Sequence, residues 1–362
     1  MAFSIEQLLG FVPLTAAVEQ VKSGVPRVLP DAFYRRNPVD RVLGNKARLV
    51  NYKGTRQNAR LAPYGAPPRQ IVQLERSQQD IILLHTIEKL PLTQELMLQL
   101  RELDSYVVQN MARTEINFQA MGAATRMTNL ESSAVHVALA NGKLWFDTDG
   151  NLQANSSGAD LEVDYGIPAN NLNQLNGIIS ASWATASTPI VQQVNNIKMR
   201  AVQTTGYPLK YALYGKNVAQ YLVDNTSFQQ YLSRNQQFNQ KWVDTGVIPP
   251  GVLDLTWVNV QNAFFADSSN AVTEIFGADT VAFCPEINPM TWSVYEGSYN
   301  VPKSLGAVTS DVMALLDNVN PQYGPFGYAM MDGPNSIIGV YGDTFLPRFK
   351  VPEAFFIADV TP

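Results

Sequence analysis

Residues 93–141 read TQELMLQLRELDSYVVQNMARTEINFQAMGAATRMTNLESSAVHVALAN, inside a stretch from Leu92 to Ile167 without a proline in a chain that holds 22. Pro91 precedes Thr93, a fitting N-cap, and Glu95 lies in the first turn. Leu96, Leu100, Leu103, Val107 and Met111 follow at spacings of 4, 3, 4 and 4, which is one face of an α-helix. Phe118 and Met121 extend that face past a polar break at Thr114 and Glu115. A second apolar pattern through Leu130, Ala134 and Val137 stops at Asn141-Gly142, a helix-ending pair. Unbroken, such a helix measures about 73 Å at 1.5 Å per residue, and Gly122 is its weakest point.

Working outward, Leu144-Trp145-Phe146 and Leu152 flank Asp149-Gly150, a two-residue hairpin signal. Leu161, Val163 and Tyr165 alternate with Glu162 and Asp164 as a half-buried strand. On the N-terminal side, two strand-like limbs from Val39 to Glu88 flank the turn-rich LAPYGAPP of residues 61–68 and predict a long ribbon. A two-stranded ribbon is marginal alone in water, so it should lie on the body of its own or a neighbouring subunit. Residues 4–11 suggest a short helix capped by Ser4, and Pro13, Pro26, Pro30 and Pro38 then break any long element, leaving an arm.

A second lobe begins near Asn170. Its clearest helix has Thr188 as N-cap and Pro189 at the first helical position, with Ile190, Val194, Ile197 and Ala201 on one stripe. Strand-like runs follow at 211–214, 252–260, 280–284, 337–341 and 354–357, with helical pieces near 215–233. Strands and helices mix without a βαβ rhythm, which predicts an α+β fold.

The net charge of −5 hides a polarised chain: between Lys22 and Arg76 twelve Lys and Arg face three Asp and Glu, a net +9 that leaves −14 for the remainder. Two such surfaces can bind each other in neighbouring copies, or the basic one can bind nucleic acid. The basic residues are spread singly with no aromatic interleaving, which favours the protein–protein reading. No apolar run nears the roughly 18 to 20 residues that cross a bilayer, and residues 1–10 lack a basic signal region, so a cytosol-like compartment is expected. The one cysteine, Cys284 in VAFCP, reads as an inert small hydrophobe.

Chemistry finds little foothold. The two histidines, His85 and His136, are too far apart in sequence for an HExxH metal pair, and no phosphate loop, GxGxxG or GxSxG occurs. Residues 147–151 (DTDGN) open like a calcium loop, yet position 6 is Leu152 and position 12 is Gly158, so a hairpin turn explains them better. Asp160, Glu162 and Asp164 share a strand and need be no more than a solvated edge. No catalytic, cofactor or metal residue is nominated.

The order of basic arm, long ribbon, spine-like helix, hairpin and second α+β lobe resembles the major capsid proteins of tailed bacteriophages, in the lambda-type major capsid protein E family. LAPYGAPPRQ (61–70) is similar to the family's turn at its extended loop, and residues 126–153 with the ALANGKL core to its helix-to-strand passage. DYGIP (164–168) is similar to its aromatic-Gly-apolar-Pro signature, and FLP (345–347) with VPEA (351–354) to its closing strand. The resemblance implies the Hong Kong 97-type fold: N-terminal arm 1–38, extended loop 39–90, peripheral domain with spine helix 91–169, axial domain 170–335, and C-terminal strands 336–362 returning to the peripheral domain. It implies no enzyme and no cofactor, but a subunit that self-assembles into hexamers and pentamers of an icosahedral head around double-stranded DNA. A portal and separate decoration or scaffolding proteins are the implied partners, with no membrane; synthesis is in the host cytoplasm and residence in the virion capsid. Subunit-interface candidates are Arg35, Arg36, Arg56, Arg60, Tyr64 and Arg69. An encapsulin-like compartment shell is the alternative within the fold, and a hydrolase using a carboxylate pair the alternative outside it.

Overall fold

A computed structural model describes residues 14–16, 18, 27–44, 46–52, 76–92, 95, 106–172, 179–234, 248–249, 251–261, 264–266, 272–302, 319–331 and 337–361. The expected helix at 4–11, the ribbon turn at 61–68 and the start of the long helix at 93–105, apart from Glu95, lie outside these residues.

The long helix, α1 (Tyr106–Asn141), runs 36 residues without interruption at Gly122, about 54 Å of rod. It ends as the sequence predicts: Gly142 takes φ +69°, and its N–H donates to the Ala138 carbonyl at 2.8 Å. Its buried face differs from the expected one. Ile116, Ala120, Ala123, Ala124 and Met127 are buried, whereas Met111, Phe118 and Met121 are 66%, 70% and 48% exposed. The alanines face inward because a floor without bulk lets Tyr341 and Val18 pack close to the helix. Side-chain size had pointed to the opposite face. From Ser133 to Ala140 every residue is buried, where the helix end enters the core.

Strand β5 (Lys143–Phe146) leaves the helix and pairs antiparallel with β6 (Leu152–Gln153) and β7 (Leu161–Asp164). The hairpin loop is five residues, 147–151, rather than two, because Phe146 pairs with Leu152 and the Asp147 carboxylate gathers the N–H groups of Asp149 and Asn151. Val163 and Tyr165 are buried as the alternation predicts, while Leu161 is exposed.

The expected ribbon limbs are divided between two sheets. Strand β1 (Arg36–Val42) leaves a short 3-10 turn (Asp31–Tyr34) and lies parallel to β13 (Trp292–Pro302). Only β2 (Lys46–Tyr52) and β3 (Arg76–Ile82) form the two-stranded ribbon, in register from Lys46↔Ile82 to Tyr52↔Arg76. Strand β4 (Leu84–Leu92) instead pairs along nine residues with β16 (Ile337–Phe349), which also pairs β13 and β15 (Phe326–Met331). Strand β14 (Val319–Tyr323) closes this six-stranded sheet on β13.

The second lobe holds α2 (Ile190–Thr205), α3 (Val218–Asp224) and α4 (Thr226–Ser233) against a four-stranded sheet ordered β17-β12-β8-β9, with ranges Phe356–Asp359, Thr280–Pro285, Leu209–Tyr214 and Thr256–Asn259. The stripe Ile190, Val194, Ile197 and Ala201 is buried as expected. Thr188 does not cap it: its hydroxyl donates to the Ser182 carbonyl at 2.6 Å, and Pro189 occupies the cap position. A small hairpin of β10 (Phe264–Ala266) and β11 (Val272–Glu274) completes the described strands.

That four-stranded sheet is the shared wall of two cores. Val281, Phe283, Phe356 and Ala358 face the α2–α4 core, while Ala282, Cys284 and Ile357 face the core containing α1, β5 and β13. Burial on both faces is why VAFCP reads as a continuous apolar run rather than an alternating one. Cys284 is 1% exposed with its thiol pKa pushed up by burial, an inert packing group as expected.

Candidate assembly surfaces

Of the expected interface residues, Arg56, Arg60, Tyr64 and Arg69 lie outside the described residues. Arg35 sits exposed where the 3-10 turn passes into β1, its carbonyl accepting from Val294 N–H at 3.2 Å. Arg36, one residue on, points the other way. Its side chain is 11% exposed, and its guanidinium donates to Glu131 (Nε at 3.0 Å, Nη2 at 2.8 Å) and to both oxygens of Asp343 (Nη1 at 2.8 Å). Glu131 on α1 and Asp343 on β16 are each 1% exposed. Burial alone would lower the Arg36 pKa, but the two carboxylates hold it above the usual arginine range. Its charge is spent inside the subunit, which does not fit an outward interface role.

Arg36 is the hub of a larger set. Glu296 on β13 lies 3.6 Å from it and accepts from Arg41 Nε at 3.0 Å, and Arg27 approaches Glu131 at 3.8 Å; Lys350 and Asp40 form a separate pair at 2.7 Å. Arg27, Arg36 and Arg41 come from the basic segment, and Glu131, Glu296 and Asp343 from the acidic remainder. Part of the charge polarity therefore fastens the segment after the arm to its own body. Sequence reasoning missed Glu131 and Asp343; a glutamate within the apolar helical run from Leu130 to Val137 was the available signal.

Outward, the ribbon base shows one apolar and one polar side. Ala47 and Ile81 are buried in the core, whereas Ile82 is 54% exposed and Arg48 pairs with Asp80 in solvent at 2.8 Å. Val39 and Leu43, at the approach to the ribbon, are 86% and 78% exposed. On α1, Met111 and Phe118 are seven residues apart and Met121 three further, so all three share the face opposite the buried alanines. Large apolar side chains exposed in groups mark contact surfaces.

No reaction centre is assembled among the described residues. Among the described residues no three His, Cys, Asp or Glu converge as a metal site, and no helix is long and apolar enough to cross a membrane. His85 Nδ1 bonds Thr344 Oγ1 at 2.6 Å, and His136 Nδ1 donates to the Ser132 carbonyl at 2.6 Å; both are structural contacts.

The profile of the family described as phage major capsid protein E matches residues 10–298, most of the chain. The chain belongs to the phage major capsid protein E family. A solved prophage protein of E. coli CFT073, described as its capsid protein, superposes with TM-score 0.52 at 14% identity, over 99% of each chain. A phage-related protein from Bordetella bronchiseptica RB50 covers 95% of this chain and 96% of its own, at 11% identity and TM-score 0.48. No curated protein sequence matches the chain. The fold is therefore the α+β Hong Kong 97-type fold, and this major capsid protein is a structural shell subunit, resident in the virion capsid, rather than an enzyme. Self-assembly into a shell comes with that family, which sets aside the hydrolase alternative and leaves the encapsulin reading the weaker one.

Proposed function

We propose that this capsid subunit forms hexamers and pentamers of an icosahedral head that encloses double-stranded DNA, docking on neighbours through its ribbon and through the outer face of α1. The observation that carries the reading is that, among the described residues, β2 pairs with β3 alone. Ala47 and Ile81 rest on the subunit's own core, while Ile82 and the Arg48–Asp80 pair face solvent; a two-stranded ribbon is marginal in water, so a neighbouring copy is the proposed support of that outward face. The proposed division is arm 1–38, extended loop 39–90, peripheral domain 91–169, axial domain 170–335 and returning strands 336–362; the α2–α4 core supports a separate axial unit, while β13 to β15 join β1, β4 and β16 in the six-stranded sheet, and β17 pairs in the four-stranded sheet. Arg35, Arg56, Arg60, Tyr64 and Arg69 remain the proposed contact residues, with Arg36 withdrawn. A portal, separate scaffolding or decoration proteins, and DNA held without sequence preference are the proposed partners, after synthesis in the host cytoplasm.

The test reverses Arg56 and Arg60 to glutamate. Each exposed pair contributes only about 0 to 1 kcal/mol, but the change recurs at every equivalent contact. Shells should fail to form at low salt and partly recover near 1 M, where the Debye length falls to about 3 Å. Normal empty shells at every salt concentration, with failure only on DNA packaging, would assign these arginines to the genome instead.

A further inference from the structure

Where the 3-10 turn (Asp31–Tyr34) passes into β1, a narrow cleft opens against the loop that leads into β13. Its volume is about 10 Å³, the room of one water-sized group. Both walls are fixed: Trp292 Nε1 donates to the Phe33 carbonyl at 2.8 Å, and the Thr291 hydroxyl donates to the Glu286 carbonyl at 2.7 Å. The polar side chains lining it are those of Arg35, Asn37, Asn288 and Ser293, and no acidic residue joins them.

All four offer donors. Asn37 Oδ1 accepts from the Val39 N–H at 3.2 Å, and Asn288 Oδ1 from those of Met290 and Thr291 at 2.9 and 3.2 Å, which leaves both Nδ2 groups as donors. Ser293 is 2% exposed, and its hydroxyl has no hydrogen-bond partner among the described residues. Buried hydroxyls are ordinarily bonded, so this one marks a place for an acceptor. Arg35 is exposed, and its guanidinium makes no ion pair among the described residues. Strand pairing sets Arg348 opposite Ser293 on the same face of the sheet, which adds positive charge. Asp40, the acid beside Arg348, is already held by Lys350 at 2.7 Å, while Asp31 and Glu286 are exposed outside the lining.

We propose that this cleft binds a carboxylate group, and that in the assembled shell an acidic side chain of a second copy fills it. A carboxylate is flat, accepts at two oxygens and meets an arginine fork with both, whereas a backbone phosphate brings two ester substituents into the room of one small group. Donors without an acid among them suit an anion, and the chain outside residues 22–76 carries a net −14 from which a second copy can supply it. The second-copy occupant rests on the shell-forming function proposed above; the affinity for a carboxylate does not.

Acetate is the probe for the carboxylate. Titrated into the unassembled full-length subunit against matched chloride, it should shift the side-chain amide resonances of Asn37 and Asn288 saturably, and bind about tenfold more weakly to Arg35→Gln and to Ser293→Ala. No saturable shift, or one that both variants retain in full, overturns the site. For the second copy, a minority of Arg35→Lys chains is built into shells of isotope-labelled parent. A carbodiimide should then condense the new amine at position 35 with the bound carboxylate, forming an amide while the reagent takes up the lost water as its urea. Mass spectrometry should find position 35 joined to an Asp or Glu peptide of a labelled chain. Position 35 joined only within its own chain, or to nothing, overturns the second copy as occupant. Crosslinks present in empty shells and absent from DNA-filled ones overturn it as well, assigning the cleft to backbone phosphate. If the parent forms no shells, the shell reading fails by itself, and the acetate titration still decides the site.

Discussion

Replacing Arg36 with alanine should cost the unassembled subunit about 3 to 5 kcal/mol, the usual effect of removing one partner from a buried ion pair. The number follows from the geometry: the substitution strands two carboxylates, Glu131 and Asp343, each 1% exposed, that together accept four hydrogen bonds from this guanidinium. Arg27 stays 3.8 Å from Glu131 and softens that half of the loss. Against the roughly 5 to 15 kcal/mol of a whole domain, the change is large. Arg36→Lys keeps the charge but not the fork that meets two carboxylates at once, and should lose an intermediate amount. Urea unfolding of the unassembled subunit reads both variants as a fall in midpoint at constant slope. If both stay within about 0.5 kcal/mol of the parent, the ordinary value for a surface site, then Arg36 faces outward and the network is wrongly assigned.

Three further outcomes are expected. His136 is buried, which holds its pKa down to about 4 against an opposing hydrogen bond to Ser132. The unfolded chain, at about 6.5, therefore takes up its proton first, so stability should fall by about 3 kcal/mol as pH drops from 6.5 to 4 and then level off; His136→Gln should flatten that slope in urea midpoints measured across pH. Gly215→Ala should destabilise by at least about 1 to 3 kcal/mol, because a Cβ there meets backbone, the carbonyl oxygens of Gly277 and Ala278; a thermal midpoint equal to the parent's would contradict that packing. Phe118→Gln with Met121→Gln should leave subunit stability within about 0.5 kcal/mol yet reduce shell yield in sedimentation, and unaffected shells would remove this face of α1 from the contacts.

Elements with strong local signals were legible in the sequence. The Asn141-Gly142 stop, the α2 stripe and the strand-like run at 280–284 rest on neighbouring residues alone, and each appears in the structure. What was not legible depended on distant partners. Which face of α1 is buried was decided by Tyr341 and Val18, so the small alanines won over Phe118 and Met121. The ribbon's base starts later than the sequence suggests because β1 and β4 have strand character but take β13 and β16 as partners. Arg36 looked like one exposed arginine among several, since its carboxylates lie 95 and 307 residues away. Fold and family reached the surface of the sequence through the order of elements.

The most direct measurement of the central claim is sedimentation of the purified chain alongside negative-stain imaging. The account predicts closed shells, rings or tubes built of many copies, dissociating into capsomers as conditions weaken the contacts. A chain that stays a folded monomer at every concentration and salt tested, with no assembled particle in the images, would contradict it.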